Sequence, residues 1–133
     1  MTLLLLDTNF LIDAERTDSA LEAVIDDDDD VAIAAVTLAE LLVGVEMADT
    51  KRRRVAREAF VNDVLEAVPV ITYDEEIARV HAELLVVVRR VGRPRGAHDL
   101  IIAATARATA RTVLTGDGSA FADLPGVALR TTR

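Results

Sequence analysis

Four acidic side chains stand at positions where an α/β fold could bring them together. Asp7 ends the N-terminal apolar run LLLL, and Asp117 follows the late apolar segment TVLT. Asp99 opens the stretch DLIIAATA, and Glu40 lies one turn into a predicted helix that follows the apolar run VAIAAV. In open α/β sheets, functional groups gather at the carboxyl ends of the strands, where loops and helix N-termini converge. The spacing therefore predicts that all four acids share one edge of a sheet.

Carboxylates crowded into one cleft would favour chemistry based on a divalent cation. They repel one another and raise one another's pKa values, and a bound cation compensates for this cost. The sequence has no Cys and only two His, so oxygen ligands remain, which favour Mg²⁺ or Mn²⁺ over zinc. The net charge of −8 disfavours binding of nucleic acid by charge alone. A cation that binds phosphate oxygens and activates water would let such a pocket accept a phosphate backbone.

Each acid also has an ordinary structural explanation. Asp7 and Asp99 could be helix N-caps, each contributing about 1 kcal/mol to stability. Glu40 could be the capping-box partner of Thr37, which stands three residues earlier. Asp117 could be a turn residue of the segment TGDGS. The joint pattern is harder to explain in this way, because all four acids fall at the rim that the inferred topology defines.

The elements that must position these acids alternate between short apolar strands and helices. Strands are predicted at residues 2–6, 31–36, 68–72 and 112–114, with GVALR at 126–130 as an optional fifth. Helices are predicted at residues 8–14, 19–25, 37–48, 50–67, 75–90 and 99–110. This alternation is typical of a parallel sheet covered on both sides. We therefore expect an α/β fold, a three-layer α/β/α sandwich with a mostly parallel sheet of four to five strands, as one domain over residues 1–133.

Four segments, in their order and spacing, resemble the PIN-domain ribonucleases, and specifically the VapC-type toxins of bacterial toxin–antitoxin pairs. They are LLLDTNFLID, AAVTLAELLVGVE, GAHDLIIAATARA and TVLTGDGSAF, and together they span nearly the whole chain. The resemblance implies a PIN fold with a catalytic metal cluster. Its acids would be Asp7, Glu40 and Asp99, with Asp117 as a fourth, more variable member.

The same resemblance implies supporting residues, an activity and partners. Thr8, Asn9 and Thr115 match the polar positions that orient carboxylates and waters in such sites. The implied reaction is hydrolysis of phosphodiester bonds in single-stranded or looped RNA, with tRNA or rRNA as targets and Mg²⁺ or Mn²⁺ as cofactor. The implied partners are a VapB-type antitoxin and a second copy of the chain in a homodimer. We expect the antitoxin to carry a basic tail that enters the acidic site, because a cation there would substitute for the metal.

Two alternatives from other classes of protein stay open. One is a catalytically degenerate PIN-like module that only binds a partner, although such a module gains nothing from four mutually repelling acids. The other is a Mg²⁺-dependent phosphatase. Asn9 stands where one phosphatase class would place a second Asp, and no Lys follows Lys51, so the chain departs from the phosphatase pattern.

Two basic segments could contact RNA phosphates beside the acids. Lys51, Arg52 and Arg53 begin a predicted helix, and Arg93 and Arg95 lie in a loop that leads into the predicted site. For the first segment, a solvated face or a contact with the antitoxin would explain the charges equally well. We predict that Arg93 and Arg95 contact RNA.

The remaining charged and apolar features have structural interpretations. The run Asp26–Asp30 lacks the central Gly and alternating ligands of a calcium loop and is predicted to be a solvated turn. His98 is predicted to have a structural role, or to support the acids from outside the metal's own ligands, rather than to act as a general base. No apolar run approaches the roughly 20 residues of a membrane span, so we expect a soluble, cytoplasmic protein.

Overall fold

The computed structural model describes residues 1–17 and 25–132. The strands are β1 Leu3–Leu6, β2 Asp30–Ala34, β3 Val70–Ile71, β4 Thr112–Thr115 and β5 Leu129–Thr131. The helices within these ranges are α1 Thr8–Thr17, α2 Ala35–Glu46, α3 Lys51–Ala67, α4 Glu75–Val91 and α5 Ala97–Ala108, with a short 3₁₀ turn at Gly118–Ala120. The helix predicted at 19–25 lies, apart from Ile25, outside the described residues. None of the described helices is long and apolar enough to cross a membrane.

The five strands form one sheet in the order β3-β2-β1-β4-β5. Every neighbouring pair is parallel, so all five strands end at the same edge. The chain first moves outward from β1 to β2 and β3, and then returns to the other side of β1 to form β4 and β5. The resulting switch point lies between β1 and β4, where open α/β sheets form their binding crevices.

Helices cover both faces of the sheet, as the predicted α/β/α sandwich requires. Successive residues of β1 point to opposite faces because the side-chain period of a strand is two. Leu5 belongs to a buried cluster with residues of α4 and α5, among them Ile77, Leu84 and Ile102. Leu4 and Leu6 belong to a second cluster with residues of α1, α2 and α3, among them Leu11, Leu41 and Val61. The predicted fold class is therefore confirmed.

At the edge of the sheet opposite the carboxyl ends, the Arg111 side chain forms hydrogen bonds with both β1 and β2. Its Nη1 donates hydrogen bonds to the carbonyl oxygens of Leu4 (3.0 Å) and Asp30 (2.8 Å). Its Nη2 donates to Oδ1 of Asp30 over 2.8 Å. One guanidinium group thus joins β1, β2 and the residue that precedes β4, at the edge opposite the acids.

Candidate metal centre

Asp7 lies directly after β1, at the switch point of the sheet, and is only 2% exposed. Its Oδ2 accepts a hydrogen bond from Oγ1 of Thr115 over 2.7 Å, and its Oδ1 accepts one from the Thr8 amide over 2.8 Å. Burial raises the pKa of Asp7 to about 6, and the charges of Asp99 and Glu40 contribute to the rise, while the two hydrogen bonds oppose it. Asp7 is thus a carboxylate that the fold holds at an electrostatic cost.

Glu40 reaches the same edge from α2. The Thr8 hydroxyl donates to Oε1 of Glu40 over 3.0 Å and lies 3.2 Å from the buried hydroxyl of Thr37. The helix begins at Ala35 without a side-chain cap, two residues earlier than predicted. Thr37 is therefore not an N-cap, and the capping-box explanation of Glu40 is wrong. Nδ1 of His98 lies 3.7 Å from the same Oε1.

Asp99 approaches from the first turn of α5 and is partly buried. The N-cap of this helix is Gly96, and no side chain caps it, so the N-cap explanation of Asp99 is also wrong. Burial raises the pKa of Asp99, the charges of Glu40 and Asp117 raise it further, and His98 opposes the rise. The charges of two other acids thus raise the pKa of Asp99, just as those of Asp99 and Glu40 raise the pKa of Asp7.

Asp117 is the most exposed of the four acids and caps the 3₁₀ turn that follows β4. Its Oδ1 accepts hydrogen bonds from the amide (3.1 Å) and the hydroxyl (2.6 Å) of Ser119. Its own amide donates to Oγ1 of Thr115 over 3.0 Å. The predicted turn role of Asp117 is therefore present, and it coexists with a position at the acidic edge.

The site acids share one edge but do not form a tight cluster. Within residues 1–17 and 25–132, the only three acids whose ligand atoms lie within 4.8 Å of one another are Asp26, Asp28 and Asp29. In that segment Asp29 accepts hydrogen bonds from the amides of Asp26 and Thr2, and Asp28 pairs with the N-terminal amine. These contacts close a largely exposed turn, as expected for the Asp run. No three of the four site acids bring their ligand atoms this close together.

The three predicted supporting residues lie in two different environments. Thr8 and Thr115 are buried, and each donates its hydroxyl to a carboxylate of the site. Asn9 is exposed on the first turn of α1. The two threonines therefore have the contacts expected of residues that orient carboxylates.

The predicted RNA-binding residues also differ among themselves. Lys51, Arg52 and Arg53 are exposed at the start of α3, where Arg53 forms an ion pair with Asp49 at 2.8 Å. Arg93 is exposed in the loop before α5. The structure differs from the sequence interpretation at Arg95, because both terminal nitrogens of this residue donate to backbone carbonyl oxygens. Two of its N–H groups thus bind the protein's own backbone, a role that the sequence interpretation did not include.

A groove of about 370 Å³ opens beside Glu40, between α1, α2 and α3. Its apolar lining includes Ile12, Leu41 and Phe60, and Arg16 and Arg57 also line it. Nη1 of Arg57 donates to the carbonyl oxygen of Gly44 over 2.7 Å. Glu15 and Glu40 line it as well, so the acidic edge is continuous with an apolar groove that carries charges of both signs.

Comparison with known proteins agrees with this fold. Residues 4–127 match the PIN domain family. Ribonuclease VapC5 of Mycobacterium tuberculosis is 41% identical over 125 residues, which cover 92% of this chain and 88% of that protein. Toxin FitB of Neisseria gonorrhoeae is 33% identical over 128 residues, which cover 90% of this chain and 91% of that protein.

A solved structure supports the same assignment. The crystal structure of VapBC-5 from Mycobacterium tuberculosis, a member of the VapBC family of toxin–antitoxin systems, matches with a TM-score of 0.80 and 34% identity. The match covers 100% of this chain and 99% of that chain. Fold and acidic edge define an α/β protein with a candidate metal centre, and the comparisons identify its family. The chain belongs to the PIN-domain family, as its sequence motifs predict.

Proposed function

We propose that this chain is a metal-dependent endoribonuclease and the toxin of a type II toxin–antitoxin system. Its substrate is single-stranded or looped RNA, with tRNA or rRNA as the target, and its site of action is the cytoplasm. The observation that carries the proposal is the buried Asp7 at the sheet switch point, whose raised pKa reflects burial and two neighbouring acids. The names of the relatives support it, since one is called a ribonuclease and another a toxin.

The side chains at the acidic edge fit a divalent cation. Asp7, Glu40 and Asp99 would hold it, with Asp117 as the fourth acid, because a cation offsets the cost of burying and crowding carboxylates. The four acids offer only oxygen ligands, which Mg²⁺ and Mn²⁺ prefer. When bound, either ion supplies a Lewis acid that neutralises phosphate charge and activates a water for hydrolysis.

The surrounding residues of the chain orient the carboxylates. The Thr115 hydroxyl holds one oxygen of Asp7, and the Thr8 amide holds the other. The Thr8 hydroxyl fixes Glu40. Because the two donors to Asp7 favour its ionised form, they keep this carboxylate available as a ligand. Outer contacts of this kind commonly change metal affinity by about 10- to 100-fold.

We further propose that the toxin is neutralised by a VapB-type antitoxin and assembles as a homodimer. One solved relative supports an antitoxin partner: VapBC-5 of Mycobacterium tuberculosis, a member of the VapBC family of toxin–antitoxin systems. The antitoxin's basic tail would enter the acidic edge, where positive charge offsets the carboxylates. Lys51, Arg52, Arg53 and Arg93 are exposed and would contribute to the RNA surface.

The direct test is cleavage of total RNA by the purified protein in Mg²⁺, Mn²⁺ or EDTA. Wild type is compared with Asp7→Asn and Asp99→Asn, and with Asp63→Asn as a matched control on the exposed surface of α3. We expect cleavage only with a divalent ion, a loss of about 100-fold or more in both site variants, and full activity in the control. Cleavage that persists in EDTA, or survives either site substitution, would contradict the proposal.

The same preparations separate the two alternatives. A phosphatase would turn over a generic phosphomonoester, and this activity should be absent from the wild type. A degenerate binding module would bind the antitoxin without cleaving RNA under any metal condition. Either of these outcomes would replace the ribonuclease proposal.

A further inference from the structure

Arg95 connects two segments that each contribute an acid to the site. It lies in the loop between α4 and α5, four residues before Asp99. Its Nη1 donates to the carbonyl oxygen of Ala120 over 3.1 Å, and its Nη2 donates to that of Ala122 over 2.8 Å. Ala120 is the last residue of the 3₁₀ turn that Asp117 caps, and Ala122 lies two residues further on. A single guanidinium group thus links the approach to Asp99 with the turn of Asp117.

The turn that Arg95 holds is also anchored in the protein interior. Phe121, between the two acceptor residues, is 1% exposed and packs in the cluster that contains α5 residues. The amides of Phe121 and Ala122 both donate to the carbonyl oxygen of Gly118. The turn therefore has its own internal hydrogen bonds, and Arg95 fixes its position relative to the loop before α5.

The chemistry of the contact requires arginine rather than any cation. A planar guanidinium presents its donors in a fixed fork, and hydrogen bonds from a charged donor are about twice as strong as neutral ones. The carbonyl oxygens of Ala120 and Ala122 accept from the two terminal nitrogens of Arg95, one each. A lysine would place a single point charge there and could not hold both acceptors in the same geometry.

Gly96, the next residue, leaves room for the Asp99 carboxylate. A Cβ built on Gly96 would lie 2.9 Å from Oδ2 of Asp99. The backbone of Gly96 has φ −58° and ψ 141°, which other residues adopt readily. The backbone conformation therefore does not require glycine, whereas the position of Asp99 does.

We propose that Arg95 and Gly96 form a positioning pair that sets where Asp99 and Asp117 stand relative to each other. Arg95 fixes the spacing of the two segments, and Gly96 fixes the placement of the Asp99 carboxylate at the start of α5. The consequence for cation binding rests on the proposed function, whereas the bracing of the turn does not.

The bracing is tested by amide hydrogen exchange in the metal-free protein. We expect Arg95→Met to accelerate exchange of the Phe121 and Ala122 amides by about tenfold or more, because local opening controls protection. Exchange in the middle of α4 should be unchanged. Arg79→Met is the matched control, since Arg79 forms an exposed ion pair with Glu75. Unchanged exchange of the two turn amides in Arg95→Met would overturn the bracing role.

The functional consequence is tested by titration with Mn²⁺ alone. Loss of a nearby positive charge would by itself tighten cation binding, so weaker binding by Arg95→Met identifies a positioning role. We expect Arg95→Met, Arg95→Lys and Gly96→Ala each to weaken Mn²⁺ affinity by about tenfold, with Arg79→Met unchanged. Gly96→Ala retains every Arg95 hydrogen bond and therefore remains informative if Arg95 variants fold poorly.

The outcomes separate this inference from the proposed function. Wild-type affinity in Gly96→Ala, or tighter binding in Arg95→Met, would overturn the positioning pair while the metal centre stands. A wild-type protein that binds no Mn²⁺ would overturn the metal centre, and the exchange experiment would still decide whether Arg95 braces the turn.

Discussion

Asp7 is the most deeply buried of the four candidate acids, and its charge opposes folding of the metal-free protein. Between the ordinary pKa of 3.8 and the folded value of about 6, the folded state binds more protons than the unfolded state. Stability therefore falls as the pH rises through this window and stays lower above it. At neutral pH the cost is up to about 3 kcal/mol, since one pKa unit corresponds to about 1.4 kcal/mol.

We predict that Asp7→Asn raises the stability of the metal-free protein at pH 7 while abolishing cleavage. An amide avoids the desolvated charge, and the Thr115 hydroxyl can turn to accept the new N–H. Thermal unfolding in EDTA should show the largest gain above pH 6 and little gain near pH 4. A variant that is less stable than the wild type across this range would contradict the electrostatic account of Asp7.

Single residues of the site were predictable where local sequence marks the end of a strand. Asp7 and Asp117 follow apolar runs, so their positions at the sheet edge could be predicted from the sequence. Thr37 and Arg95 could not be placed, because their roles depend on contacts with segments 29 and 25 residues away. The sequence around Thr37 matches a capping box, and the helix start at Ala35 and the hydrogen bond to Thr8 distinguish the two roles.

At the scale of elements, the capping signal in the sequence predicts the start of α4 correctly but not that of α2. Asp74 caps α4 as predicted, with its Oδ1 accepting from the Ile77 amide over 2.9 Å. In contrast, α2 begins at Ala35, ahead of the predicted start at 37. β3 spans only two residues, although five were predicted. At its start, Pro69 has no amide hydrogen with which to extend the strand pairing.

We predict that Asp74→Ala lowers the free energy of unfolding by about 1 kcal/mol without changing RNA cleavage. The change removes the cap of α4, a helix that supplies none of the site acids. Chemical denaturation measures the loss, and Asp74→Ser is the control because serine also caps helices well. Equal losses in both variants, or reduced cleavage well below the melting temperature, would contradict this separation of stability from activity.

At the scale of the whole molecule, the parallel α/β/α architecture could be predicted from the alternation of strands and helices, but the strand order could not. Local apolar patterns give no information about which strands are neighbours. The order β3-β2-β1-β4-β5 places the strands before Asp7 and Asp117 side by side. It is this topology that turns acids more than 100 residues apart in sequence into neighbours at one edge.

The net charge of −8 makes a prediction about the antitoxin. We expect its tail to carry Arg or Lys, to bind more weakly as salt increases, and to compete with Mn²⁺ for the acidic edge. Pull-down of the product of the neighbouring reading frame, with tail cations replaced by Ala, measures this dependence. An acidic or uncharged tail that inhibits equally well would contradict it.

The most direct measurement is the anomalous signal of manganese in a crystal of the protein soaked with Mn²⁺. We expect a manganese peak at the carboxyl-end edge of the sheet, with oxygens of Asp7, Glu40 or Asp99 within about 2.5 Å. Soaked crystals of Asp7→Asn should lose that peak. Manganese bound only at the turn of Asp26, Asp28 and Asp29, with none at the sheet edge, would contradict the central claim.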